Sequence, residues 1–166
     1  MRKISSDTIL TWEGNPIYNI KISDNPDSDE SEREVLYTAL HHAREPNSAS
    51  QLIFYMWYLL ENYATRSDIK AMVDNLELYF IPCINVDGYQ YNESLNPDGG
   101  GYWRKNRRDN GDGSFGIDLN RYYGYFWGDF GGSSPDPFSE IYRGPEAFSE
   151  PETRTIRDFC RAHDFL

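Results

Sequence analysis

With 166 residues, 39% of them hydrophobic and 16% aromatic, the chain has the material for one compact core, which excludes a disordered or fibrous class. Lysine and arginine number 16 against 27 acidic residues, and the resulting net charge of -11, with no basic run, argues against a nucleic-acid partner. No apolar stretch reaches the length of a membrane span, and the opening Met-Arg-Lys-Ile-Ser-Ser lacks the apolar centre of a signal peptide.

In chain order, Gly14-Asn15 predicts a turn and the alternating residues 16–23 a strand. Residues 24–34, Asp-Asn-Pro-Asp-Ser-Asp-Glu-Ser-Glu-Arg-Glu, form an acidic loop. The apolar run 35–40 has no polar alternation, which predicts a short parallel strand buried on both faces, ending where His41 begins. Residues 46–63 read as a helix, with Pro46 at its first position and an apolar face of Leu52, Ile53, Tyr55, Met56, Leu59 and Leu60. A second short helix over 67–75 and a second buried strand over 76–84 complete a strand-helix-strand unit, hence an α/β class with a mixed sheet flanked by helices. Residues 85–140 lose periodicity in Gly, Asp, Asn, Tyr and Trp, much longer than an ordinary loop and so expected to carry function. Ser149-Glu150-Pro151-Glu152 has capping-box spacing and opens a last helix that runs to about Ala162. Cys83 and Cys160 form no metal-spaced pair and no disulfide framework.

The abrupt change at His41 marks a functional edge. A histidine ending a strand and a glutamate three residues on, at the first turn of a helix, can converge on one ion, and zinc accepts that mix. His42 and Glu45 are the candidates. Taken alone the His-x-x-Glu spacing is a weak signal, met more often by a surface or core-satisfied pair than by a ligand pair. His41 points to the opposite face from His42 and reads as structural.

Five motifs then stand in order: His-Ala-Arg-Glu at 42–45, Asn-Val-Asp-Gly at 85–88, Trp-Arg-Lys-Asn at 103–106, Asp-Leu-Asn-Arg at 118–121 and Tyr-Arg-Gly-Pro at 142–145. On these the chain resembles the zinc metallocarboxypeptidases. Lys-Ile-Ser-Asp-Asn at 21–25, residues 34–45 and Tyr-Gly-Tyr at 123–125 make it most similar to their bacterial carboxypeptidase T branch. The resemblance implies that His42 and Glu45 are two of three protein ligands to a catalytic zinc. It implies that Asp118 accepts a hydrogen bond from the other ring nitrogen of His42, and that Arg104 polarises the scissile carbonyl. It further implies that Asn120 and Arg121 clamp the terminal carboxylate of a peptide or protein substrate, with Arg44 lining the cleft. Asp29, Glu30, Glu32, Glu34 and Glu77 match positions that contribute to structural calcium binding in that branch, a plain solvated acidic loop being the alternative. An extracellular or periplasmic place is also implied.

The sequence departs from the family pattern in extent. The resemblance places the third zinc ligand, a general-base Glu and a substrate-binding Tyr beyond the last helix, and a leading helical segment before the first strand. The expectation is therefore an incomplete domain, roughly its first half, with weak zinc affinity, no catalysis alone and an apolar sheet edge prone to self-association. Tyr122 stands where the family commonly has Asn, which puts the carboxylate subsite in question. Two rival functions fit the same residues: a zinc-dependent amidase, deacylase or cell-wall peptidase, and a noncatalytic peptide- or calcium-binding module.

Overall fold

A computed structural model describes residues 2–3, 10–128 and 131–165. Its centre is a mixed four-stranded sheet in the order β1-β2-β4-β3, formed by β1 (Arg2–Lys3), β2 (Tyr18–Ile22), β3 (Arg33–Thr38) and β4 (Leu76–Ile81). β4 pairs antiparallel with β2 and parallel with β3, where Val35 faces Leu78 and Tyr37 faces Phe80. The helices are α1 (Asn47–Asn62), α2 (Ser67–Val73), α3 (Val86–Leu95) and α4 (Pro151–Ala162), with a 3-10 turn at Leu119–Arg121. None is long and apolar enough to cross a membrane among the described residues.

β4 organises the packing because its side chains alternate between two cores. Leu78 and Phe80 join Ile22, Met56, Leu59, Ile69 and Val73 beneath α1 and α2. Tyr79 and Ile81 join Ile17, Ile84, Leu119, Ile156 and Phe159 beneath α4. Each large apolar side chain so buried contributes about 1.5–3 kcal/mol, enough to hold a sheet whose ends carry a polar site.

Every predicted regular element is present, most of them trimmed by a residue or a few at their ends, while β3 begins and ends two residues earlier than the predicted 35–40. β3 is parallel as expected, but Val35, Leu36 and Tyr37 are only half-buried, because β3 lies at the sheet edge and its outer side makes one isolated bridge, Glu34 to Phe165. α1 buries Met56 and Leu59 and packs Leu52 and Tyr55, whereas Ile53 and Leu60 of the expected apolar face stand exposed beside Phe54 and Trp57. The expected capping box of α4 is absent. Glu150 is the N-cap residue without a side-chain cap, Pro151 holds the first turn, and Ser149 turns to Tyr122 and Glu150 instead.

The largest omission is α3, hidden in the stretch without periodicity. It buries Asp87, Gly88 and Asn92 rather than an apolar stripe, so no helical period shows in the sequence. Its start is a local signal: Asn85 is the N-cap and its Oδ1 accepts from Gly88 N–H at 3.0 Å.

Candidate metal centre

The site begins where β3 ends. The β3-β4 pairing runs on past both strands, with Ala39 N–H donating to Ile81 O, Ile84 N–H to Ala39 O and Asn85 N–H to Leu40 O. Leu40 itself has φ of 55°, a left-handed conformation that a leucine adopts at a cost, held by Leu40 N–H donating to Ser48 Oγ and by burial of its side chain. The chain turns there and sends His41 and His42 apart. His41 Nε2 pairs with Tyr123 Oη at 2.8 Å, and burial together with neighbouring His42 lowers its pKa to about 4, so it is a neutral structural group.

His42 is buried and lies between two carboxylates. Its Nε2 stands 3.0 Å from Asp118 Oδ1 and its Nδ1 stands 3.0 Å from Glu45 Oε1. Asp118, fully buried, is shared: its Oδ2 accepts from Arg104 Nε at 3.2 Å and Nη2 at 2.9 Å, and its Oδ1 also accepts from Asn120 N–H at 3.0 Å. Burial alone would raise the Asp118 pKa, but the hydrogen bonds from His42 and Arg104 and the guanidinium charge prevail and hold it below the usual carboxylate range. Arg104 Nη1 reaches to 3.6 Å from Glu45 Oε1. One connected cluster of four side chains results.

This geometry suits a cation. When His42 donates Nε2–H to Asp118, its Nδ1 presents a lone pair toward Glu45, and two acceptors then face each other. Two ligands of one tetrahedral zinc, each at about 2.1 Å, stand about 3.4 Å apart. The 3.0 Å between His42 Nδ1 and Glu45 Oε1 needs only a slight opening. Glu45 is exposed, which leaves the other sides of such an ion open.

Asn120 and Arg121 follow Asp118 on the 3-10 turn. Arg121 donates from Nη1 to Asn120 O, while its Nε is buried without a partner, at a cavity of about 290 Å³ also lined by Tyr123, Tyr125 and Trp127. Tyr122 is fully buried and pairs its hydroxyl with Ser149 Oγ, so the polar end of this departure from the family pattern is engaged at the start of α4. Arg44 lies on the rim, bound to Glu140 at 3.1 Å and to Tyr102 O at 3.4 Å.

The acidic loop divides into two clusters. The carboxylates of Asp29, Glu34 and Glu77 lie together, as do those of Asp24, Glu30 and Glu32. In the first, two carboxylates already have partners: Glu77 accepts from Lys21 Nζ at 2.6 Å and from Tyr79, and Glu34 pairs with His163 Nδ1 at 2.6 Å. In the second, Glu30 Oε2 and Glu32 Oε2 are buried without hydrogen-bond partners, and burial with the charges of Asp24, Glu30 and Glu77 raises the Glu32 pKa. The second cluster is thus the better oxygen-only cation site, and its Asp24 is absent from the set expected from sequence.

Three findings escaped the sequence: the ion pair between Arg104 and Asp118, the contribution of Asp24, and the buried amides of Asn85 and Asn92 behind Arg104. Only the Asn-x-x-Gly cap at 85–88 left a readable trace.

Comparison with known proteins adds independent findings. The chain matches the family model described as zinc carboxypeptidase over residues 6–166. It is 39% identical over 120 residues to a zinc carboxypeptidase of Saccharothrix mutabilis subsp. capreolus, covering 71% of this chain and 26% of that protein. It is 33% identical over 155 residues to an inactive metallocarboxypeptidase of Talaromyces marneffei, covering 91% and 25% respectively. Among solved structures, carboxypeptidase A of Helicoverpa armigera superposes with a TM-score of 0.74 at 30% identity, over 97% of this chain and 38% of that one. The chain spans about a quarter of the length of these two curated relatives.

Proposed function

This chain belongs to the zinc carboxypeptidase family, and from that premise we propose that it forms part of the catalytic domain of an enzyme releasing the C-terminal residue of peptides or proteins. The observation that carries the reading is the placement of His42 between Asp118 and Glu45, with Arg104 on the same aspartate. His42 Nδ1 and Glu45 would hold zinc. When bound, that ion supplies Lewis acidity, activating water near neutral pH and polarising a carbonyl.

The chain's own residues supply the orienting and binding groups. Asp118 fixes the ring of His42 through Nε2 and at the same time holds the fork of Arg104, so both move as one unit. Arg104 keeps Nη1 turned toward Glu45 and offers a permanent positive charge where an oxyanion develops. Arg121, with its unpartnered Nε, and Asn120 bind the terminal carboxylate, and Arg44 lines the outer cleft. Among the described residues no third ligand stands with His42 and Glu45, so a complete site would need a third ligand and a general base from a longer protein.

Release of C-terminal residues from ordinary peptides by that longer protein tests the reading. Hydrolysis confined to small acylated amino acids or cell-wall peptides would replace it with the amidase or cell-wall alternative. The Talaromyces relative named inactive gives the noncatalytic module a specific footing, and a native protein purified without zinc would favour it.

For the chain alone, calorimetry with zinc at neutral pH is expected to give a dissociation constant of about 10 µM or weaker, because two ligands fall short of a full zinc set. His42→Ala should abolish the heat. Tight stoichiometric binding would contradict the two-ligand site.

The same proposal places calcium at Asp24, Glu30 and Glu32. Calcium at ten times its dissociation constant should stabilise the chain by about 1.4 kcal/mol. In thermal unfolding the gain should vanish with chelator and in Glu30→Gln/Glu32→Gln, and an equal gain in that double variant would leave a solvated loop.

A further inference from the structure

α3 has little apolar reason to sit where it does. Asn85 at its N-cap and Asn92 two turns later share one face, with Gly88 between them, and all three are buried. That face lies against the segment 103–105. Asn92 takes both backbone groups of Trp103, its Nδ2 donating to the carbonyl at 2.8 Å and its Oδ1 accepting from the N–H at 2.8 Å. Asn85 Nδ2 donates to Arg104 O at 3.3 Å, to Lys105 O at 3.1 Å and to His41 O at 3.0 Å.

Gly88 permits this approach. A Cβ there would lie 2.6 Å from Lys105 O and 2.8 Å from Ala43 Cβ. Ala43 N–H closes the circuit by donating to Arg104 O at 3.1 Å. On the far side Asn106 pairs with Ile117, next to Asp118, through N–H to Ile117 O at 3.1 Å and through Oδ1 from Ile117 N–H at 2.8 Å. Residues 103–106 are therefore gripped at every position by directional hydrogen bonds, which fix a backbone more tightly than apolar contacts that can slide.

We propose that Asn85 and Asn92 are positioning residues that set Arg104 relative to the turn bearing His42 and Glu45. Asn85 is the joint between the two, because one amide holds the carbonyls of His41 and Arg104 together. The inference takes its purpose from the function proposed above, since a carbonyl-polarising guanidinium acts only at a fixed distance from the metal ligands. An arginine side chain is long and flexible, so its pairing with Asp118 endures only while its backbone stays within reach.

The test is proton exchange at Arg104 Nε in the metal-free chain, followed by NMR and assigned by loss of the signal in Arg104→Lys. In the native chain this proton, donated to Asp118, exchanges slowly. Asn85→Asp and Asn92→Ser should speed its exchange by about tenfold, the effect of losing one or two buried hydrogen bonds, while cooperative thermal unfolding persists. Asn75→Asp, an exposed change of equal charge, should leave it unaltered. If Asn85→Asp does not fold, Asn92→Ser alone decides. Native exchange in a folded variant, or an equal change in Asn75→Asp, would overturn the proposal. The readout needs neither zinc nor peptide, so failure of C-terminal release leaves it standing, and native exchange beside intact release defeats it alone.

Discussion

Asp118→Ala is expected to destabilise the chain by about 4 kcal/mol, the loss typical when one partner of a buried ionic cluster is removed. The aspartate is fully buried and accepts from His42, twice from Arg104 and from Asn120 N–H. Without it a mostly buried guanidinium keeps, among the described residues, only the distant Glu45 oxygen at 3.6 Å. Asp118→Asn separates shape from charge. Its amide can still accept from Arg104, but a nitrogen turned toward His42 Nε2 would donate rather than accept and would move the ring proton to Nδ1, the nitrogen that faces Glu45. We expect a smaller loss, about 1–2 kcal/mol, together with abolished zinc binding. Denaturant unfolding measures the first and ring-nitrogen NMR the second. An alanine variant within 1 kcal/mol of native, by the same scale, would show that the cluster contributes little.

The second large effect concerns Glu152. It is fully buried on the first turn of α4, with Oε1 lacking a partner and Oε2 sharing the Asn106 amide, at 3.3 Å, with Glu150 at 2.7 Å. A helix N-terminus favours a carboxylate, yet burial first, and then the charges of Glu150 and Asp87, raise its pKa to about 8. The folded state therefore retains a proton that the unfolded chain releases near its ordinary value of 4.5. This stabilisation is fully present below pH 4.5 and is lost as pH rises through about 8. Glu152→Gln keeps the neutral shape at every pH. It should match the native chain near pH 4.5 and exceed it at pH 8, by about 4 kcal/mol. Parallel stability curves for the two proteins across that range would show that Glu152 ionises freely.

Three of the four strands and three of the four helices were legible because their burial leaves apolar periods, as in 76–84 and 46–63, whereas the two-residue β1 was not predicted. α3 was illegible because what it buries is polar: Asn85, Asp87 and Asn92 meet backbone groups from segments that only the folded chain brings near. In the site, the spacing of His42 and Glu45 was visible locally, and the family resemblance supplied the position of Asp118, 76 residues away from His42. The bond between Arg104 and Asp118 follows from neither spacing nor composition. It depends on the Asn106–Ile117 pairing that brings the two segments together. The acidic loop shows the same limit: its charges were plain, but which of them cluster is decided in the fold, where Lys21 and His163 claim Glu77 and Glu34 while Glu30 Oε2 and Glu32 Oε2 have no hydrogen-bond partner.

Leu40 bends the chain left-handedly just before the two histidines, and folding itself holds it there, through Ser48, Asn85 and a buried side chain. The turn is therefore preorganised, its entropy of ordering already met by the α/β core. An ion arriving there would meet a turn already folded instead of a loop that must condense around it, as happens in small domains that fold only on binding metal. On the proposed function, an ion loading at His42 and Glu45 would need only their slight opening, and its loss would leave the turn intact.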